Sequence, residues 1–163
     1  MERHLLAPAL VSRLDVVGDA FHQNRADVLE QLGVTLEQWG YDVLDLGTEN
    51  GEDSVDYPDY GEAVGRAVAS DAVDLGVAVC GSGIGICIAA NKVPGVRAAL
   101  VHDVTTAHLA REHNHANVLC FGGRLIGPTV AQEALRAWLD AEPGEGRHVG
   151  RIAKLTKLDE RRA

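Results

Sequence analysis

The sequence contains no long apolar run and no excess of positive charge. Every apolar stretch falls short of the roughly 18 residues that a membrane-spanning helix requires, so we expect no membrane partner. The short apolar patch near the start runs directly into a strand-like segment, which is not the layout of a signal peptide. The net charge of −9 repels a phosphate backbone, so nucleic acid is not an expected partner either.

Cysteine is also scarce. The three cysteines, Cys80, Cys87 and Cys120, are odd in number and lie in apolar or glycine-rich surroundings. This usage argues against a disulfide framework and favours a reducing cytoplasm. No cluster of cysteine and histidine has the spacing of a zinc site, so no metal is expected.

Strand-like and helix-like patterns alternate along the chain. Its 163 residues fit one domain, and 46% hydrophobic with 24% charged residues is an ordinary globular balance. The alternation predicts an α/β fold, a Rossmann-like three-layer α/β/α arrangement with a five-stranded parallel sheet. We expect disorder at 1–12 and a C-terminal helical arm at 144–163, whose helix reaches a partner subunit. The predicted strands are 14–18, 41–47, 73–80, 96–102 and 116–122, and the predicted helices are 25–40, 60–70, 84–93, 103–114, 127–141 and 148–162.

A glycine loop, "CGSGIG" at 80–85, follows the third predicted strand and precedes a helix. Ligands of parallel sheets bind beyond the carboxyl ends of the strands, and glycines let backbone N–H groups approach an anion there. One interpretation is a dinucleotide site, but that motif needs a glycine where Ile86 stands. The other is an enzyme loop, in which Cys80 at a helix N-terminus acts as base or nucleophile. A small core residue at the strand end is the alternative for Cys80.

Further candidate groups lie outside the loop. His113, followed by Asn114, lies at the end of a predicted helix and suits proton transfer, or it caps the helix. Arg147 and Arg151 are four residues apart, so on a helix they share a face that can clamp a phosphate. A solvated basic tail is the alternative for that pair. Arg124 follows the fifth strand, and Tyr57 begins a helix or marks a structural turn.

Four motifs in order give the sequence a family resemblance over roughly residues 41 to 158. The chain resembles the type B ribose-5-phosphate isomerases, within the wider family that includes galactose-6-phosphate isomerase subunits. The resemblance implies a homodimer or homotetramer with active sites shared between subunits, and no cofactor or metal. It implies interconversion of aldose and ketose phosphates through a cis-enediolate. The motifs are "VDYPDY" (55–60), "CGSGIGICIAANKVPGVRAAL" (80–100), "AREHNHANVLCFGGRLIG" (110–127) and "GRHVGR" (146–151).

The resemblance also implies roles for individual residues. Cys80 would be the base that moves a proton between C1 and C2. His113, assisted by Asn114, would open the furanose ring, and Tyr57 would line the sugar pocket. The anion hole for the enediolate would be formed by Gly81, Ser82, Gly83, Ile84 and Gly85, and the phosphate would be held by Arg124, Arg147 and Arg151, some of them from the partner subunit.

The N-terminal segment departs from the family pattern. The family has G-x-D-H-A-G after its first strand, where the Asp and His touch the substrate. Here Asp19 stands for the Asp, Ala20 occupies the place of the His, and His22 is not its expected substitute. Ribose 5-phosphate and ribulose 5-phosphate are the leading pair. The alternatives are a tetrose phosphate such as erythrulose 4-phosphate, a hexose phosphate such as allose or galactose 6-phosphate, or binding without catalysis.

Overall fold

The structure is a computed structural model that describes the backbone at residues 9–11, 22–47 and 55–160, and side chains from residue 28 onward. Strands and helices alternate along this part of the chain, and two helices follow the last strand. The strands are β1 Ala9–Val11, β2 Asp42–Leu44, β3 Leu75–Cys80, β4 Ala98–Leu100 and β5 Val118–Gly122. The helices are α1 His22–Gln38, α2 Tyr57–Ala69, α3 Ile84–Ala90, α4 Val104–Asn114, α5 Pro128–Asp140 and α6 Arg147–Glu160.

The described strands form one five-stranded sheet in the order β2-β1-β3-β5-β4, and every pair in it is parallel. All strands therefore end at the same side of the sheet, which we call the carboxyl edge, and begin at the opposite side, the amino edge. The central strand β3 pairs with β5 so that Cys80 lies opposite Gly122. The predicted α/β fold class is confirmed.

Side chains of the central strands alternate between two cores, one on each face of the sheet. Val77 and Val79 point into a core that contains Phe121 and Trp138, while Ala78 and Cys80 point into a second core. The second core is built on α2 and α3, with Val64 and Ile86 among its members. The period of two along β3 thus directs Cys80 toward the α2–α3 layer.

The first described strand, β1 at Ala9–Val11, lies within the stretch 1–12 where we expected disorder. The strand that we expected at 14–18 lies outside the described residues. Apolar residues occur in both stretches, and pairing with β2 and β3 identifies β1 at 9–11.

Helix α2 begins at Tyr57, three residues before the predicted start, because Pro58 is suited to the first turn of a helix. Among the residues that the structure describes, no helix is long and apolar enough to cross a membrane.

The N-terminus of α4 is capped by Asp103. Its Oδ1 accepts a hydrogen bond from the Thr106 amide at 2.8 Å, and its Oδ2 accepts one from the Thr106 hydroxyl at 3.0 Å. The backbone bond first, and then the hydroxyl bond, hold the pKa of Asp103 below its ordinary value. The folded state therefore binds a proton here less readily than the unfolded chain does.

We predict that this cap makes stability depend on pH. Because the pKa of Asp103 is lowered by folding, its stabilisation is present above the ordinary pKa of about 4 and is lost as the pH falls through the folded value. Asp103→Asn keeps a capping side chain but does not ionise. Urea unfolding from neutral pH downward should show the wild type losing more stability in acid than the variant. A difference that stays constant with pH would contradict the prediction.

Candidate active site

Cys80 is the last residue of β3 and is 4% exposed. Its Sγ accepts a hydrogen bond from the Gly83 amide at 3.2 Å, because the loop after β3 turns back over the sulfur. An N–H donor directed at sulfur stabilises negative charge on it. The sulfur therefore lies at the carboxyl edge with an amide donor directed at it, while the residue also packs in the second core.

The glycine loop reaches this shape through a left-handed residue and a close contact with β5. Gly83 has φ +76° and is the N-cap of α3. Ser82 lies half-buried beside Gly122, where an added Cβ would lie 2.6 Å from the Ser82 carbonyl oxygen. The Ser82 Oγ accepts from the amide of Ile84 at 3.3 Å, and the Ile84 side chain is exposed. The loop is thus held by its own backbone and by β5.

Arg124 lies directly against this loop. The Arg124 amide donates to the Gly81 carbonyl at 3.1 Å, and the Gly123 amide donates to the Cys80 carbonyl at 2.9 Å. An added Cβ on Gly81 would lie 2.6 Å from Arg124 Nη2, so the guanidinium occupies the space of a missing side chain. The positive charge therefore lies next to the loop.

Tyr57 lies on the other side of the loop. It is the first residue of α2 and is 40% exposed. An added Cβ on Gly85 would lie 2.5 Å from carbons of the tyrosine ring, so only glycine permits this contact. Residues 80–85, Tyr57 and Arg124 together form what we call the carboxyl-edge cluster.

His113 lies elsewhere, near the C-terminal end of α4. Its Nε2 is 3.5 Å from Glu112 Oε2, and its ring stacks on that of His148 with centroids 4.5 Å apart.

Arg147 is the first residue of α6 and directly precedes His148, with Arg151 one turn further on; both arginines are exposed. Asn114 is exposed and lines a cavity of about 460 Å³ between β4, α4 and α6. His113, Asn114, Arg147, His148 and Arg151 form the amino-edge cluster.

The two clusters lie at opposite edges of the sheet. Helix α4 starts just beyond the carboxyl end of β4 and runs back for 11 residues, a length of about 16 Å, to the amino end of β5. A single chain therefore does not bring Cys80 together with His113 or with Arg147 and Arg151. Asp19 lies outside the described residues, as does the side chain of His22.

The stack of His148 on His113 was missed from the sequence. The only sequence signal is that His148 stands between the two paired arginines, in "RHVGR" at 147–151. Contact with His113 depends on how the connection after α5 returns to the end of α4, which no local pattern reveals.

Cys87 and Cys120 interact with each other. The hydrogen bond to Cys120 lowers the pKa of Cys87, while that bond and complete burial raise the pKa of Cys120. Cys87 also contacts the Ala98 carbonyl at 3.5 Å. All three cysteines are free. Among the described residues, no group of His, Cys, Asp or Glu is arranged to hold a metal ion.

We predict that Gly83→Ala lowers the free energy of unfolding by more than the strain of a left-handed alanine alone. The added Cβ would lie 2.7 Å from the Phe121 carbonyl carbon and 2.8 Å from the Gly122 amide. Gly95 is a matched control, with φ +84° and no atom within 4 Å of an added Cβ. Both alanine variants should lose about 1–2 kcal/mol from the left-handed backbone, and Gly83→Ala clearly more. Equal losses in urea unfolding would show that the contact with β5 is not tight.

Comparison with known proteins finds relatives that match most of the chain. The family model for ribose/galactose isomerase matches residues 20–155. Ribose-5-phosphate isomerase B of Escherichia coli is 43% identical over 127 residues, which are 78% of this chain and 85% of that protein. D-erythrulose-4-phosphate isomerase of Pectobacterium atrosepticum is 40% identical over 129 residues, 79% of this chain and 80% of that protein.

A solved structure of a relative has the same fold. Ribose-5-phosphate isomerase B from Mycoplasma genitalium, determined with bound ribulose 5-phosphate, superposes with a TM-score of 0.85 at 34% identity. The match covers 96% of this chain and 99% of the other. The family model spans the glycine loop, α4 and the start of α6, and the identities extend over most of the chain. The protein therefore belongs to the ribose/galactose isomerase family.

Proposed function

We propose that this protein is a cofactor-independent aldose–ketose isomerase of sugar phosphates, with ribose 5-phosphate and ribulose 5-phosphate as its preferred pair. The observation that carries the proposal is the carboxyl-edge cluster, where a buried thiol, a loop of backbone amides and the Arg124 guanidinium adjoin one another. The relative from Escherichia coli is a ribose-5-phosphate isomerase B, and the solved structure from Mycoplasma genitalium holds ribulose 5-phosphate.

The chemistry follows from these groups. His113 moves a proton to and from the ring oxygen, which opens the furanose. The Cys80 thiolate removes the proton from C2, which leaves a cis-enediolate. The ketose forms when the thiol returns this proton to C1 and the proton of the C2 hydroxyl passes to the C1 oxygen. The loop donates N–H groups to the oxygen where negative charge develops, so no metal is needed for that step. Since the Gly83 amide donates to Sγ and the Ile84 amide donates to the Ser82 Oγ, we assign the Gly83 amide to the base and the amides of Gly81, Ser82 and Gly85 to the enediolate.

A second copy of the chain completes the site in this proposal. Cys80 and His113 lie at opposite edges of one sheet, so the His113, Arg147 and Arg151 that act with a given Cys80 come from the partner of a homodimer or homotetramer. Arg124 belongs to the same chain as Cys80, because it packs on Gly81. The three free cysteines favour a cytoplasmic location.

A tetrose phosphate is the second candidate substrate. Its support is Ala20, which stands where the family pattern has a substrate-contacting His, and the 40% identity to a D-erythrulose-4-phosphate isomerase. A panel of tetrose, pentose and hexose phosphates decides between them. We expect the highest kcat/KM with the pentose pair, and a higher value with erythrulose 4-phosphate would replace our choice of substrate.

Removal of the Cys80 thiol should slow the reaction strongly. We predict that Cys80→Ala lowers kcat by about 10²–10⁴-fold, the usual contribution of a general base, while sugar phosphate still binds. Cys87→Ala is the matched control and should retain activity, since that thiol points toward the Ala98 carbonyl. In D₂O, the wild type should wash deuterium into C1 or C2 of a bound sugar phosphate. Wild-type binding without exchange would identify a non-catalytic binder, and an active Cys80→Ala would contradict the assignment of the base.

Mixing two inactive variants tests the shared site. Cys80→Ala and His113→Asn should each be inactive, but a heterodimer of them contains one site with both native residues. Random subunit exchange makes half of the dimers mixed, so activity should return to about a quarter of the wild-type value. No recovery, with exchange verified by mass spectrometry of the intact dimers, would show that each site is built from one chain.

A further inference from the structure

The connection between α5 and α6 is held to the end of α4 at one residue, Gly144. The Gly144 amide donates to the Glu112 carbonyl at 2.8 Å, and the Gly144 carbonyl accepts from Nε2 of His115 at 2.8 Å. A carbonyl only accepts, so the histidine nitrogen must carry the proton in this bond. An added Cβ on Gly144 would lie 2.5 Å from the Glu112 carbonyl oxygen, so the contact requires glycine.

His115 is itself set in an unusual conformation. It is the C-cap of α4, with φ 48° and ψ 39°, in the left-handed region where histidine, asparagine and aspartate are the more common non-glycine residues. This conformation turns the chain out of the helix, and the imidazole reaches the connection from there. Its partner, Gly144, lies 29 residues further along the chain.

Few other contacts orient α6. None of its residues is buried. At its far end, Asp159 Oδ2 accepts from the Gly95 amide at 2.9 Å, and at its start His148 stacks on His113. Because little hydrophobic burial holds α6 within this chain, the polar contacts at its two ends carry more weight in orienting its first turn.

We propose that His115, acting through Gly144, is a positioning residue for the phosphate-binding face of α6. The bond to Gly144 holds the connection three residues before Arg147, and so sets the place of Arg147 and His148 beside His113. The inference rests on the proposed function, in which Arg147 and Arg151 hold the substrate phosphate. His115 itself touches no substrate.

The test compares variants of the full-length protein. His115→Asn keeps a residue that tolerates the left-handed conformation but shortens the side chain away from Gly144. In Gly144→Ala, the added Cβ would clash with the Glu112 carbonyl, to which the Gly144 amide donates its hydrogen bond. His108→Ala is the control, because His108 lies on α4 and contacts Glu112 Oε2 at 3.4 Å without touching the connection.

Three measurements distinguish a change in the position of α6 from a loss of overall stability. Hydrogen exchange should become faster at residues 144–152 in His115→Asn and Gly144→Ala, and should stay unchanged in β3 and β5. The affinity for inorganic phosphate, measured by calorimetry, should fall about three- to tenfold, as expected for one lost hydrogen bond. KM should rise by a similar factor while kcat changes less than about twofold. His108→Ala should match the wild type in all three.

Several outcomes would overturn the proposal. These are unchanged exchange at 144–152, unchanged phosphate affinity despite faster exchange, or a fall in kcat with KM unaffected. If the wild type isomerises no sugar phosphate, the proposed function fails, but exchange and phosphate affinity still decide whether His115 positions α6.

Discussion

The common direction of the five strands governs the rest of this structure. Because every pair is parallel, all strand ends that carry loops toward a ligand meet at one edge, and each helix must run back to the other. Cys80 lies at the first edge, and His113 lies at the second because α4 carries it there. In the reaction that we propose, which uses both groups, they therefore come from two chains.

The carboxyl-edge cluster is formed by close packing against glycines, which have no side chain. Arg124 fills the space beside Gly81, and Tyr57 covers Gly85. The Gly83 backbone packs so closely against β5 that a Cβ on Gly83 would not fit. The glycines therefore do more than free the backbone for an anion. They let a cation, an aromatic ring and a neighbouring strand approach the loop that carries Cys80.

Much of this arrangement is predictable from local patterns. The alternation of strands and helices predicted the α/β class, and the bounds of β3, β5 and α4 lie within a few residues of those expected. Periodicity did not reveal β1 at 9–11, because three apolar residues are too short a run to indicate a strand and their place depends on pairing with β2 and β3. Residue chemistry also marked Cys80, His113 and the arginine pair as candidates, without showing which of them meet.

The sequence by itself determined the order of the elements, the glycine loop after a buried strand and the types of reactive side chain, because these depend on contacts within a few residues. Only the tertiary structure decided that His148 stacks on His113, that His115 holds Gly144, and that Cys80 and His113 lie at opposite edges. Those relations depend on strand order and on contacts between residues up to dozens of positions apart, which leave no periodic trace in the chain.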